Sequence, residues 1–143
     1  MKKYGFSVVL MLGILACGFT PKDETKKEDK KVIMETIKTE DSVLRHVVLF
    51  KFKDDTSPES IKEVVDAFSA LPSKIPEIID YEWGINNSPE GLNKGLTHGF
   101  LLTFKSEAGR DVYLPHPAHK AFGEVLGPHL DDVTVFDYWS NTN

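Results

Sequence analysis

Leu44-Arg-His-Val-Val-Leu-Phe-Lys-Phe-Lys53 alternates along its length. In an extended chain successive side chains point to opposite sides, so His46, Val48, Phe50 and Phe52 share one face. Arg45, Val47, Leu49, Lys51 and Lys53 share the other. The stretch reads as a strand with one fully apolar face headed by a histidine. The pattern returns in Thr97-His-Gly-Phe-Leu-Leu-Thr-Phe-Lys105, where His98, Phe100, Leu102 and Phe104 fall together.

The segments between and after these strands supply the covering layer. Ser57 is a helix cap and Pro58 suits the first helical position; Ile61, Val64, Val65, Phe68 and Leu71 then recur at helical spacing until Pro72. Ile79 to Ile85 reads as a second strand, followed by a polar, glycine-containing loop from Asn86 to Gly95. Ser106 caps a short helix through Leu114, and Pro115 and Pro117 interrupt it. A second helical stretch from Ala118 to Leu126 carries His119, Phe122, Gly123 and Leu126 on one side. Val133 to Trp139 is the last strand. The order β-α-β-β-α-β specifies an α+β, ferredoxin-like unit. Placing the first and third strands side by side and parallel would bring His46 and His98 to one end of the sheet. The last strand, antiparallel to the first, would bring Asp137 to that same end.

A chain of 143 residues accommodates one ordinary domain, here residues 44–140. The formal charge of −5, with lysines scattered among carboxylates, leaves no basic face for nucleic acid. The N-terminus differs from the rest. Lys2 and Lys3 precede the apolar run Phe6 to Ala16, which is well short of the roughly 20 residues a spanning helix needs. Residues 1–16 therefore read as a secretion signal. Cys17, the only cysteine, excludes an intrachain disulfide and directly follows Ile14-Leu15-Ala16, a context resembling a bacterial lipobox. Lipidation at Cys17 would make the lipid the chain's one membrane contact. The run Lys-Asp-Glu-Thr-Lys-Lys-Glu-Asp-Lys-Lys from Lys22 to Lys31 cannot bury apolar area, so residues 17–43 read as a solvated tether. The expected location is the cell envelope, facing the periplasm or the exterior.

The strand Leu44 to Lys53, the Thr97-His-Gly-Phe strand, the segment Tyr113-Leu-Pro-His-Pro-Ala-His-Lys-Ala-Phe122 and the terminal Phe136-Asp-Tyr138 together resemble the stress-responsive A/B barrel (Dabb) family. The resemblance covers Leu44 to Trp139. It implies a homodimer in which two such units join through their sheets into a dimeric α+β barrel. Val47, Leu49, Phe136 and Tyr138 fit that implication, because their sheet face is too apolar to be left in water. Resemblance to the olivetolic acid cyclase-like members, which are cofactor-free, places catalytic roles on Tyr113 and His119. It matches the strand histidines His46 and His98 and the carboxylate Asp137 to the pocket.

Such chemistry asks for these residue types. An imidazole suits removal of a proton alpha to a carbonyl near neutral pH. A tyrosine O–H suits the oxygen that gains charge, and a carboxylate on the other imidazole nitrogen would fix tautomer and orientation. His119, Tyr113 and Asp137 are the candidates for those roles. Inward stripes place Val48, Phe50, Val64, Val65, Phe68, Phe100, Phe122, Val125, Val133 and Val135 in the pocket wall, with Gly123 leaving space beside His119. That lining favours a small apolar or aromatic molecule. No cofactor and no metal are expected; His116 and His119 are a poor metal pair with Pro117 between them and no cysteine ligand. Each strand histidine taken singly is more readily a hydrogen-bonded structural residue than a site residue, and the aromatic stripes serve as core with or without a ligand. Three functions fit the sequence: a tethered small-molecule-binding dimer, a cofactor-free lyase, cyclase or isomerase using His119 and Tyr113, and a solid structural dimer.

Overall fold

The computed structural model describes residues 42–140. The signal-like segment, Cys17 and all of the tether except its last two residues lie outside them. Four strands, β1 (Leu44–Phe52), β2 (Asp80–Ile85), β3 (His98–Phe104) and β4 (Leu130–Trp139), form one sheet in the order β2-β3-β1-β4. Three helices, α1 (Pro58–Ser69), α3 (Glu107–Tyr113) and α4 (Pro117–Leu126), and the single turn α2 (Leu71–Lys74) accompany it. This is the ferredoxin-like α+β arrangement that the element order specifies.

The helix starts are capped as the sequence suggests. Ser57 Oγ accepts the Ser60 N–H at 3.1 Å, and Ser106 Oγ accepts the Gly109 N–H at 3.3 Å. Pro58 and Pro117 occupy first-turn positions, where a missing N–H costs nothing. At α4 a ring takes the capping role: His116 Nδ1 accepts from the Ala118 N–H at 3.1 Å. Pro72 does not end α1, which stops at Ser69; it opens the turn α2, for the same reason that Pro58 opens α1.

Alternation in the strands becomes burial. Leu44, His46, Val48, Phe50 and Phe52 of β1 and His98, Phe100, Leu102 and Phe104 of β3 are buried under the helices. Phe68 of α1 stacks on Phe100 with ring centroids 4.3 Å apart, and Phe122 of α4 meets Phe68 edge-on at 4.8 Å. Each such side chain contributes about 1.5–3 kcal/mol by leaving water, so this aromatic cluster is the main fastener of helices to sheet.

One expectation fails here. β1 and β3 are neighbours but antiparallel: His46 lies opposite Leu102, and His98 lies opposite Phe50. A helical crossover between β1 and β2, followed by a hairpin into β3, reverses β3 relative to β1. His46 and His98 therefore share a face but not an end. β4 is antiparallel to β1 as expected, with Asp137 opposite His46.

The other sheet face carries Val47, Leu49, Leu101, Phe136 and Tyr138, and among the described residues no helix lies over it. Phe136 is 61% exposed and Tyr138 40%. The single chain is thus an open sheet, not a closed barrel. Among the described residues no helix is long and apolar enough to cross a membrane.

Candidate functional site

Where β1 begins and β4 ends, cross-strand pairing sets His46 beside Asp137, and the two join at 2.6 Å through His46 Nδ1. A carboxylate only accepts, so Nδ1 carries the hydrogen and Nε2 is left as the acceptor nitrogen. The second oxygen of Asp137 accepts from Arg110 Nη1 at 2.8 Å. Arg110 stands three residues before Tyr113, and that spacing places both on one face of α3. Tyr113 is buried, with its ring 5.7 Å from that of His46 and 4.2 Å from that of His119.

His119 sits in the first turn of α4, beyond the break at Pro115. Its Nδ1 donates to the Leu114 carbonyl at 3.0 Å, because a carbonyl can only accept. That bond orients the ring and leaves Nε2 with its lone pair. The sequence expectation that Asp137 orients the proposed base is corrected: Asp137 holds His46, and the backbone of Leu114 holds His119. The cause is local, since the chain turning between α3 and α4 brings a carbonyl to His119 before any residue of β4 can reach it.

Burial governs the electrostatics. It pushes His46 below its ordinary value and outweighs the pull of Asp137 in the other direction. Burial also raises Tyr113 far above the usual phenol range, with the Asp137 charge adding to the shift. The tyrosine is a neutral O–H donor at any physiological pH. Among the described residues its hydroxyl has no hydrogen-bond partner, and none of their buried side-chain polar atoms is left unpaired. The hydroxyl is therefore open to the cavity beside it.

That cavity has a volume of about 220 Å³. Of the expected wall, Val48, Phe50, Phe68, Phe122, Val133 and Val135 line it together with His46, Tyr113 and His119. Leu114, Leu126 and Leu130 complete the lining and were missed as wall residues, although Leu126 shares the His119 side of its helix. Val64, Val65 and Phe100 are instead packed core, and Val125 packs partly against it. Gly123 is exposed, and a Cβ placed there would meet nothing within 4 Å, so it opens no space in the cavity. His98 belongs elsewhere. Its Nδ1 lies 2.9 Å from Thr97 Oγ1, its ring is edge-on to Phe52 at 5.1 Å, and it borders a different depression under the β2–β3 loop. Among the described residues no group of three or more metal-ligating side chains gathers. The signal that could have revealed Arg110 is a charge on the inward side of a helix, at the position where Tyr113 also points inward.

Comparison with known proteins places this geometry in context. No functionally curated protein matches the sequence. Solved structures do. A protein of Arabidopsis thaliana is 37% identical, covering 70% of this chain and 97% of its own, with a TM-score of 0.66. A hydroxynitrile lyase from Passiflora edulis is 25% identical, covering 71% of this chain and 95% of its own, again with a TM-score of 0.66. A dimeric ferredoxin-like protein of unknown function from Thermobifida fusca is 30% identical over 68% of this chain and 90% of its own, with a TM-score of 0.58. The sequence profile of the stress responsive A/B barrel domain (Dabb) matches residues 44–140, and the chain belongs to that family.

Proposed function

We propose that this protein is an exported, lipid-anchored stress-response A/B barrel protein that binds a small apolar or aromatic molecule in the His46–Tyr113–His119 cavity. One observation carries the reading: a cavity of about 220 Å³ with a mostly aliphatic and aromatic wall, into which a tyrosine O–H and two histidines open. An apolar lining with a few convergent polar groups is the usual form of a small-molecule site. Homodimerisation through the uncovered sheet face belongs to this reading. It is supported by the exposed Phe136 and Tyr138 and by the dimeric relative from Thermobifida fusca. Export and anchoring rest on the Lys2-Lys3 and apolar segment and on Cys17.

A second reading has its own support. His119, oriented by Leu114 with Nε2 free, and a neutral Tyr113 O–H form a base and a proton donor with ring centroids 4.2 Å apart. The 25% identical hydroxynitrile lyase supports considering lyase chemistry for this pair. With a hydroxynitrile, His119 Nε2 would take the hydroxyl proton, the C–C bond to the nitrile carbon would break as the carbonyl forms, and the departing cyanide would receive that same proton back from the His119 imidazolium, leaving as hydrogen cyanide. Tyr113 would donate to the substrate oxygen.

Native mass spectrometry of the gently purified chain, followed by a cyanide-release assay on an aromatic cyanohydrin, tests both. A dimer that retains or takes up a small aromatic molecule supports binding. Cyanide release lost in His119→Ala and in Tyr113→Phe, with the dimer intact, supports the lyase. A dimer that takes up nothing and releases nothing overturns both and leaves a structural barrel.

A further inference from the structure

The cavity's histidines differ in what stands behind them. Behind His119 is a carbonyl. Behind His46 is a chain of two charged groups, Asp137 and then Arg110, in which each Asp137 oxygen serves one partner: 2.6 Å to His46 Nδ1 and 2.8 Å to Arg110 Nη1. An aspartate paired with a histidine and nothing else tends to draw a proton onto the imidazole and hold an ion pair. Here the negative charge is already met by a guanidinium that stays protonated throughout the working pH range. His46 can then remain a neutral donor without leaving the carboxylate uncompensated beside the buried Tyr113.

We propose that Arg110 is a positioning residue of this site: by occupying the outer oxygen of Asp137 it keeps His46 in the neutral, Nδ1-protonated form, so that Nε2 offers a lone pair to the ligand. The cavity then presents a neutral His46 acceptor and a neutral phenol donor beside the His119 ring. Such a surface recognises neutral ligands that carry a hydroxyl or another O–H or N–H donor, and discriminates against anions, which a cationic His46 would attract. The inference rests on the ligand site described above, yet its main readout needs no ligand.

Geometry carries the assignment. Arg110 is not a free surface charge that happens to touch a carboxylate. Its side chain is 23% exposed and Asp137's is 25%, whereas the exposed Lys62–Asp66 pair stands at 74% and 63%. The titratable and charged groups facing His46 come from three elements: Asp137 on β4, Arg110 and Tyr113 on α3, and His119 on α4. Burial is the largest influence against a charged His46; of the facing groups only Asp137 favours one, and His119 and, more weakly, Arg110 oppose it.

The test is nitrogen and carbon NMR of the histidine rings in the purified full chain. At pH 7 the wild-type His46 signal is expected to show the neutral Nδ1-protonated tautomer. A doubly protonated ring, or the Nε2-protonated tautomer, overturns the proposal before any variant is made. Arg110→Gln keeps a hydrogen-bond donor for Asp137 but removes the charge, and is expected to move the His46 titration midpoint up by about one pH unit. Arg110→Lys restores the charge and is expected to bring it most of the way back. Asp137→Asn removes the link, and Arg110→Gln added to it should produce a much smaller shift. A midpoint in Arg110→Gln within about 0.2 unit of wild type, in protein with native circular dichroism, overturns the proposal. Should Arg110→Gln not fold, Arg110→Met, which also removes the charge, is read by the same criterion. A ligand-free protein that behaves as expected while binding no small molecule would sink the binding reading and leave the Arg110 assignment standing.

Discussion

His46 and His98 begin as equivalents and end as opposites. Each heads an alternating strand, each points under the helices, and each is almost fully buried, at 5% and 8% exposure. Burial pushes both below the ordinary histidine value. Yet His46 meets a carboxylate that itself holds a guanidinium, a tyrosine and the cavity, whereas His98 meets a threonine hydroxyl and the rings of Phe52 and Trp83. The difference comes from strand direction. In an antiparallel pair the two histidines stand four residues apart along the sheet, roughly 13 Å at the rise of an extended chain. Pattern within one strand decides which side chains are buried, while pairing direction decides which of them meet.

The sharpest way to break this contrast is at the cavity end. With any substrate that the chain turns over by proton transfer, His119→Ala should lower kcat/KM by about 10²–10⁴-fold. His98→Gln should leave it within about threefold, because a group outside the cavity contributes nothing that grows in the transition state. Steady-state kinetics on both variants, with circular dichroism to establish folding, checks the pair. Equal losses would put His98 in the site after all.

Stability should divide the same way. Asp137→Ala leaves His46 Nδ1–H and Arg110 without their shared acceptor. Removing one partner of a fully buried charge pair costs about 3–5 kcal/mol, and the partial exposure of Asp137 and Arg110 reduces that to about 2 kcal/mol. At the other end Thr97→Val removes one neutral hydrogen bond from His98, worth about 1 kcal/mol or less. Denaturant unfolding of the two variants gives the comparison, and a larger loss in Thr97→Val would reverse it.

What could be read from the sequence follows the same division. The strand faces, the caps Ser57 and Ser106, the helix breaks near Pro115 and the arrival of Asp137 at the His46 end of the sheet were legible, because each depends on local periodicity or on one strand neighbour; that Asp137 binds His46 and not His119 was not. The direction of β3 was misjudged, and with it the company of His98, since alternation looks the same whichever way a strand runs. Arg110 escaped notice because a charge on a helix reads as solvated until the opposing strand is known to place a carboxylate beneath it. The wall was legible as a set of inward residues. Which of them border the void and which fill the core depends on how closely α1 and α4 approach the sheet, and periodicity says nothing about that.

A smaller effect sharpens the contrast from the helix side. α4 carries His119 to the cavity and is capped by His116, whose Nδ1 accepts the Ala118 N–H; nothing comparable positions His98. His116→Ala should cost about 0.5–1 kcal/mol, and His116→Asn should recover most of it because asparagine caps well. Thermal unfolding measures the cost. Any accompanying loss of ligand binding or turnover should exceed what stability alone explains, since the cap fixes the first turn in which His119 sits.

The smallest effect is a dependence on pH, and its sign follows from the direction of the two shifts. In the unfolded chain both histidines titrate near 6.5, the ordinary value, and in the folded chain both titrate lower. Between those values the unfolded state binds more protons than the native state, so stability is full above about pH 6.5 and declines as pH falls through the folded values. The melting temperature should therefore drop between about pH 7 and pH 5.5, and His46→Gln and His98→Gln should each flatten that slope. Arg110→Gln separates the two ends. By letting His46 take up its proton more easily it should reduce the slope at the His46 end, while the contribution of His98, which has no charged neighbour among the causes of its shift, stays as it was. An unchanged slope in His98→Gln would mean that its ring is solvated in the folded protein and takes up its proton as in the unfolded chain, and the likeness from which the contrast starts would be gone.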